Sequence, residues 1–136
     1  MKYAHLGLCY LASPYTSDSA DVMQERFSRT AMATAEFTRQ GILIFSPILH
    51  SVPMVQCGCG GTTWDDWADY DTAFIKKCTQ VFVLQLDGWK QSRGVTAEVE
   101  ICRANGIPVI GVNPLDIGEA VELFVARRAQ FSSKFQ

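Results

Sequence analysis

Short apolar segments alternate along this chain with longer segments of helical periodicity, and this alternation restricts the possible folds more than any other feature. Alternating strands and helices are typical of a parallel sheet whose two faces are both covered by helices. The sequence therefore predicts an α/β doubly wound sheet. The predicted strands are residues 4–12, 42–45, 81–86 and 107–112, the predicted helices are 19–39, 64–78, 95–104 and 117–128, and residues 48–62 are predicted to form a loop.

Length and charge narrow the function classes. The 136 residues suffice for one domain with its own hydrophobic core, and no repeat or linker divides residues 1–136. The formal net charge is −2 without a basic stripe, so nucleic acid is not an expected partner. No signal peptide or bilayer-spanning segment is evident, so no membrane partner is expected either. Five cysteines, three of them in predicted strands or helices, indicate a reduced, cytoplasmic protein.

A glutamate occupies the apolar face of the helix that follows the third predicted strand. Glu98 shares this face with Val95 and Cys102, whereas Glu100 points away from it. With a helix start at Val95, Glu98 falls in the first turn, where the helix dipole favours a negative charge. Burying a carboxylate is costly unless it is paired, so Glu98 needs a structural or functional explanation.

The preceding helix repeats this anomaly. Asp71 falls in an apolar stripe that also contains Trp67, Phe74 and Ile75. A single buried carboxylate would favour a structural role, such as capping a backbone group or pairing with a buried arginine. Two of them on elements that flank one strand favour a functional site. Buried carboxyl groups whose environments separate their pKa values suit glycosidic-bond chemistry.

A glycine-bounded turn, residues 88–94, joins the third predicted strand to the helix of the buried glutamate. Gly88 and Gly94 permit a tight backbone, and amides at the helix start can face an anion. Ser92 adds a hydroxyl, and Trp89 could stack on a base. A plain turn with solvated cations explains the charged residues equally well, and packing is the favoured role for Trp89.

His50 follows the second predicted strand, at the edge of the sheet where ligands bind. There it could touch a base or a phosphate, although a loop histidine without a role fits as well. With Cys57 and Cys59 it suggests a zinc site, which we discount because a second pair of ligands is missing. No metal is therefore expected.

Several motifs stand in a characteristic order along the chain. They are YLASPY at residues 10–15, FSPILHS at 45–51, Asp71, GWKQSRG at 88–94, and Glu98. In this order and spacing they resemble the nucleoside 2-deoxyribosyltransferase superfamily over nearly the whole chain. The resemblance is to a small, largely uncharacterised bacterial and phage branch with the YLASPY opening and a GWxxSxG turn.

The resemblance implies a flavodoxin-like doubly wound sheet of four to five strands. It also implies an enzyme that cleaves the N-glycosidic bond of a nucleoside or nucleotide. It makes Glu98 the nucleophile at the anomeric carbon, lets Tyr10 orient Glu98, and places Asp71 near the nucleobase. It implies no metal or organic cofactor, and a homo-oligomer, dimer or tetramer, whose neighbouring subunit completes the pocket. The implied substrate-binding residues are Ser13, Pro14, His50, Gly88, Trp89, Ser92 and Gly94.

The position six residues before the glutamate separates two activities within this resemblance. Similar transferases place an aspartate there, whereas nucleoside 5′-monophosphate glycosidases place a serine that contacts the phosphate. Ser92 therefore favours hydrolysis of a nucleoside 5′-monophosphate to free base and sugar phosphate. The arginine that holds the phosphate in those hydrolases has no counterpart, since Thr16 occupies the nearest position; Arg26 and Arg29 are candidate substitutes. A deoxyribosyltransferase and a non-catalytic nucleotide-binding or sensor domain are the alternatives.

Overall fold

The computed structural model describes residues 1–134, with side chains through residue 130, so the last two residues of the predicted domain 1–136 lie outside it. The strands are β1 (Cys9–Ala12), β2 (Ile44–Phe45), β3 (Gln80–Leu84) and β4 (Val109–Val112), the helices are α1 (Ala20–Arg39), α2 (Pro47–Gln56), α3 (Trp64–Ile75), α4 (Arg93–Asn105) and α5 (Ile117–Lys134), and 3-10 turns span Ala4–Leu6 and Trp89–Gln91. All strands pair in parallel in the order β2-β1-β3-β4. This confirms the predicted α/β flavodoxin-like sheet, with four strands.

Alternate residues of β1 and β3 point to opposite faces of the sheet, and both faces are buried. Leu11 and Phe82 pack against α1 and α5, whereas Tyr10 and Val81 pack against α3 and α4. The strand period thus brings Tyr10 to the face covered by the helices that carry Asp71 and Glu98. The first core contains Cys9, Leu11, Phe37, Phe82, Leu84, Val112 and Phe124, and the second contains Tyr10, Ala12, Ile75, Val81, Val83, Val95 and Cys102.

The second connection departs most from the sequence prediction, because α2 occupies most of the predicted loop 48–62. The Ser46 hydroxyl caps this helix by accepting a hydrogen bond from the Leu49 amide at 3.2 Å. Pro47 occupies the first turn, where its missing N–H is tolerated. Pro53 lies inside the helix, which continues past it despite the lost backbone hydrogen bond. The two prolines therefore do not mark a loop.

Helix α4 begins at Arg93, two residues earlier than predicted, because Ser92 rather than a later residue caps it. Glu98 consequently lies in the second turn, so the predicted first-turn position is wrong and the charge is farther from the helix start. At the other end of the chain, β1 begins at Cys9, since Ala4–Leu6 form a 3-10 turn that stops at Gly7 with φ +97°.

The cysteines are all free thiols. Cys9, Cys78 and Cys102 are buried, as predicted from their positions, whereas Cys57 and Cys59 are exposed in the segment between α2 and α3. Within residues 1–134, no helix has the length and apolar character needed to cross a membrane.

Candidate active site

A cavity of about 330 Å³ opens at the carboxyl ends of the strands, where parallel sheets of this type bind ligands. Its walls come from the three connections that follow β1, β2 and β3. Glu98 and Asp71 both line it. The two carboxylates singled out by helical periodicity therefore face one space, from α4 and α3 respectively.

Glu98 is almost completely buried, with 4% of its surface exposed. Its Oε2 accepts a hydrogen bond from the Tyr10 hydroxyl. Burial raises the pKa of Glu98 to about 8, and the neighbouring Asp71 carboxylate raises it too, while the Tyr10 hydrogen bond acts in the opposite direction. Glu100, two residues further on, is exposed and pairs with Arg103. The predicted contrast between the two glutamates is confirmed.

Asp71 is 9% exposed and lies on the buried stripe of α3, as predicted. Burial raises the pKa of Asp71 to about 7, and a hydrogen bond with Tyr10 partly offsets this. Two neighbouring carboxyl groups with raised pKa values share their protons near neutral pH. One of them can then act as an acid while the other is ionised.

Tyr10 contacts this pair from inside the core. Its side chain is fully buried, and its ring packs 5.9 Å from that of Phe45. Burial, and then the Glu98 charge, raise the pKa of Tyr10 well above its ordinary value, so its hydroxyl stays protonated and donates. Tyr10 does not line the cavity itself. It therefore holds Glu98 without occupying substrate space.

The start of α4 forms a polar wall of the cavity, made of Ser92, Arg93 and Gly94. The Ser92 hydroxyl oxygen accepts a hydrogen bond from the Val95 amide at 3.2 Å, which leaves its proton available to a ligand. Arg93 pairs with Asp65 at 3.0 Å, and both side chains are largely solvated, so the ion pair is weak. Within the described lining, Arg93 is the sole lysine or arginine.

The candidate arginines of α1 are placed elsewhere. Arg26 donates to backbone carbonyls of two loops, and Arg29 pairs with Glu25 at 3.6 Å on the exposed face of the helix. Neither lines the cavity, so Arg93 is the cation that a bound anion would meet.

Of the predicted substrate-binding residues, Ser13, Ser92 and Gly94 line the cavity and four others do not. Pro14 is buried behind the lining. Gly88 faces Arg26, and Trp89 packs on the second core with Lys90 above its ring. His50 lies on α2 and packs among the rings of Phe45, Tyr70 and Phe74. For these four, the structure favours packing and turn roles.

One wall of the cavity belongs to α2 and is not predicted from the sequence. Its residues repeat at the spacing of one helical face. Ser51, 8% exposed, opens onto the cavity, and its hydroxyl has no hydrogen-bond partner in the part of the chain that the structure describes. The Ser46-Pro47 pair, a helix cap followed by a first-turn proline, is the signal that would have revealed this wall. Its members are Pro47, Ile48, Ser51, Val52 and Val55.

The segment between α2 and α3 completes the cavity through Gly61, Thr62 and Thr63. Trp67 donates its indole N–H to the Gly61 carbonyl at 2.7 Å, and Thr16 donates its hydroxyl to the Thr62 carbonyl at 2.5 Å. These bonds hold the segment against both α3 and the loop after β1.

As far as residues 1–134 are concerned, no three His, Cys, Asp or Glu side chains gather as a metal site would require.

A family model described as a domain of unknown function, DUF1937, matches residues 7–113. This stretch runs from just before β1 to just beyond β4, and it contains Tyr10, both carboxylates and the whole described cavity lining. No curated protein matches the chain. The description of the family names no activity, so the functional argument depends on the site.

Proposed function

The chain belongs to the DUF1937 family, and we propose that it hydrolyses the N-glycosidic bond of a nucleoside 5′-monophosphate to free base and sugar phosphate. One observation carries this proposal: Glu98 and Asp71, two buried carboxyl groups in contact with Tyr10, face the same cavity. Paired carboxyl groups with shifted pKa values are the usual machinery of glycoside cleavage. The motif resemblance to the nucleoside 2-deoxyribosyltransferase superfamily supports the same chemistry.

In the first step, Glu98 attacks the anomeric carbon of the sugar. Tyr10 engages Oε2, which leaves Oε1 as the attacking oxygen. The bond between the anomeric carbon and the base nitrogen breaks through an oxocarbenium-like transition state, and its electron pair leaves with the base. Protonated Asp71 supplies the proton that the departing base takes up. Because Glu98 is buried, its negative charge stabilises the developing positive charge more strongly than it would in water.

In the second step, water attacks the anomeric carbon of the glycosyl-enzyme ester. The Asp71 carboxylate accepts a proton from this water, the bond to Oε1 breaks, and Glu98 is released as a carboxylate. The sugar phosphate departs, and Asp71 is again protonated. The cycle therefore consumes one water and needs no other reactant.

The cavity walls support this substrate class. Its volume of about 330 Å³ suits one small ligand. Apolar residues of α2, together with Trp64 and Trp67, offer a surface for a flat base, whereas Ser92 and Arg93 offer donors for a phosphate. A mononucleotide has this same division between an aromatic end and an anionic end.

The test is release of free base from a panel of ribo- and deoxyribonucleoside 5′-monophosphates and the matching nucleosides, measured by chromatography. We expect the wild type to act on at least one monophosphate and Glu98→Gln to be inactive. Glu100→Gln is the matched control, because Glu100 is exposed on the same helix. Base release by Glu98→Gln at the wild-type rate, or none by the wild type, overturns the proposal.

The same samples separate the alternatives. With an added acceptor base, a transferase forms a new nucleoside or nucleotide, whereas the proposed hydrolase forms only sugar phosphate. A non-catalytic binding domain shows nucleotide binding by calorimetry and no base release.

A further inference from the structure

We propose that Arg26 is a positioning residue that joins the loops around the cavity and sets its affinity for substrate. Arg26 projects from α1 between two loops. Its Nη1 donates to the carbonyls of Tyr15, at 3.3 Å, and Thr16, at 3.0 Å, in the loop after β1. Its Nη2 donates at 3.0 Å to the carbonyl of Asp87, in the turn after β3. One planar guanidinium thus connects the ends of two adjacent strands.

Gly88 provides the space for this bridge. Its backbone has φ +87°, and a Cβ atom there would lie 2.5 Å from Nη2 of Arg26. Any side chain at this position would therefore displace the guanidinium as well as strain the backbone. Gly88, which does not line the cavity, acts through Arg26 in this arrangement.

The bridge extends to the third connection through Thr16. The Thr16 hydroxyl donates to the Thr62 carbonyl at 2.5 Å, and both residues line the cavity with Tyr15. The connections after β1, β2 and β3 are therefore linked by Arg26 and Thr16. Hydrogen bonds from a guanidinium are charge-assisted, so replacing this one residue releases three of them together.

The consequence for catalysis rests on the proposed hydrolysis, whereas the consequence for the loops does not. Of the residues that the bridge holds, Tyr15, Thr16 and Thr62 line the cavity, and none belongs to the carboxyl pair. If they lose their restraint, binding has to order them, and this weakens binding more than it slows bond cleavage. We expect the KM for the nucleotide to rise about tenfold and kcat to fall by less than roughly threefold.

Two variants disrupt the bridge from opposite sides. Arg26→Lys keeps the charge but cannot span both loops. Gly88→Ala displaces the guanidinium from the turn after β3. Gly106→Ala is the control for the latter, because Gly106 also has a positive φ, +67°, but its Cβ would meet nothing within 4 Å.

Amide hydrogen exchange on the full chain without ligand, together with KM and kcat, decides the proposal. We expect faster exchange over residues 14–18 and 86–92 in both bridge variants, no further increase in the double variant, and wild-type exchange there in Gly106→Ala. The proposal is overturned if Arg26→Lys shows wild-type exchange and wild-type KM, and if Gly88→Ala cannot be distinguished from Gly106→Ala. If no nucleotide is hydrolysed, the proposed function fails while the exchange experiment still tests the bridge.

Discussion

The hydroxyl of Tyr10 donates a hydrogen bond to Oε2 of Glu98 from inside the core, where solvent does not reach. One oxygen of the carboxylate is thereby held by the fold, while the side chain as a whole faces the cavity. The same hydroxyl interacts with Asp71. A rigid β-strand therefore positions both carboxyl groups, which is the arrangement that a preorganised site requires.

Replacing Tyr10 with Phe should impair activity by raising the pKa of Glu98. The lost hydrogen bond lowers that pKa in the wild type, so a smaller fraction of Glu98 is ionised at neutral pH in the variant. We expect kcat/KM at pH 7 to fall about ten- to a hundredfold and its acidic limb to move to higher pH. Tyr70→Phe, at an exposed position, is the control. An unshifted pH profile in Tyr10→Phe would contradict the positioning role.

The pH dependence of kcat/KM should be bell-shaped. The pair is productive when it holds one proton, on Asp71. Burial raises the pKa of Asp71 to about 7 and that of Glu98 to about 8, so most singly protonated pairs carry the proton on Glu98 and the productive form is the less populated one. Activity should fall below about pH 7, as both groups become protonated, and above about pH 8, as the acid is lost. Asp71→Asn should abolish the alkaline limb and lower the pKa of Glu98, since a neighbouring like charge is removed. Asp69→Asn, at an exposed position on α3, should keep the bell-shaped pH profile of kcat/KM.

Glu98→Gln should stabilise the protein increasingly as the pH rises. Burial raises the folded-state pKa of Glu98 from 4.5 to about 8, so its neutral form is the one that the fold favours. Protonated Glu98 makes its full contribution to the free energy of unfolding below about pH 4.5, and this contribution is lost as the pH rises to about 8. Glutamine stays neutral at every pH. The free energy of unfolding of Glu98→Gln should therefore exceed that of the wild type by a margin that grows by up to about 1.4 kcal/mol per pH unit in this window.

Urea unfolding of wild type and Glu98→Gln at pH 5, 6.5 and 8 measures this difference. Glu100→Gln should show no such pH-dependent gain. An advantage of Glu98→Gln that is the same at every pH would mean that the glutamate is not held neutral by burial.

Ser92→Asp should change substrate preference while keeping the fold. Aspartate caps a helix about as well as serine, so the bond to the Val95 amide is preserved. Its carboxylate would repel a phosphate at the start of α4, and we expect the KM for monophosphates to rise at least about tenfold relative to nucleosides. Ser19→Asp makes the same change at the exposed cap of α1. Equal losses in the two variants would exclude a phosphate contact at Ser92.

Ser51→Ala tests the wall that α2 contributes. The Ser51 hydroxyl makes no hydrogen bond to any described residue, so its removal should leave the free energy of unfolding within about 0.5 kcal/mol of wild type. If the hydroxyl contacts the substrate, affinity measured by calorimetry should fall roughly three- to tenfold. Ser28→Ala, on the exposed face of α1, is the control.

The parts of the site that the sequence predicts correctly depend on local periodicity. Helical phase separates Glu98 from Glu100 and places Asp71 among apolar neighbours, and the structure buries both predicted residues. The α2 wall is not predicted, because Pro47 and Pro53 indicate a loop unless the Ser46 cap is recognised. Neither predicted candidate for a phosphate-binding arginine, Arg26 or Arg29, lines the cavity. Helical periodicity gives the face on which a side chain lies, but it does not tell which loop that side chain reaches.

The sequence by itself determined which side chains turn toward the core, because the 3.6-residue and two-residue repeats act within one element. Only the tertiary structure decided which of them meet. Tyr10 and Glu98 are 88 positions apart, and they touch because β1 lies beside β3 and because α3 and α4 cover the same face of the sheet. Strand order and helix packing follow from interactions across the whole chain, and it is these interactions that unite Tyr10, Asp71 and Glu98 in one site.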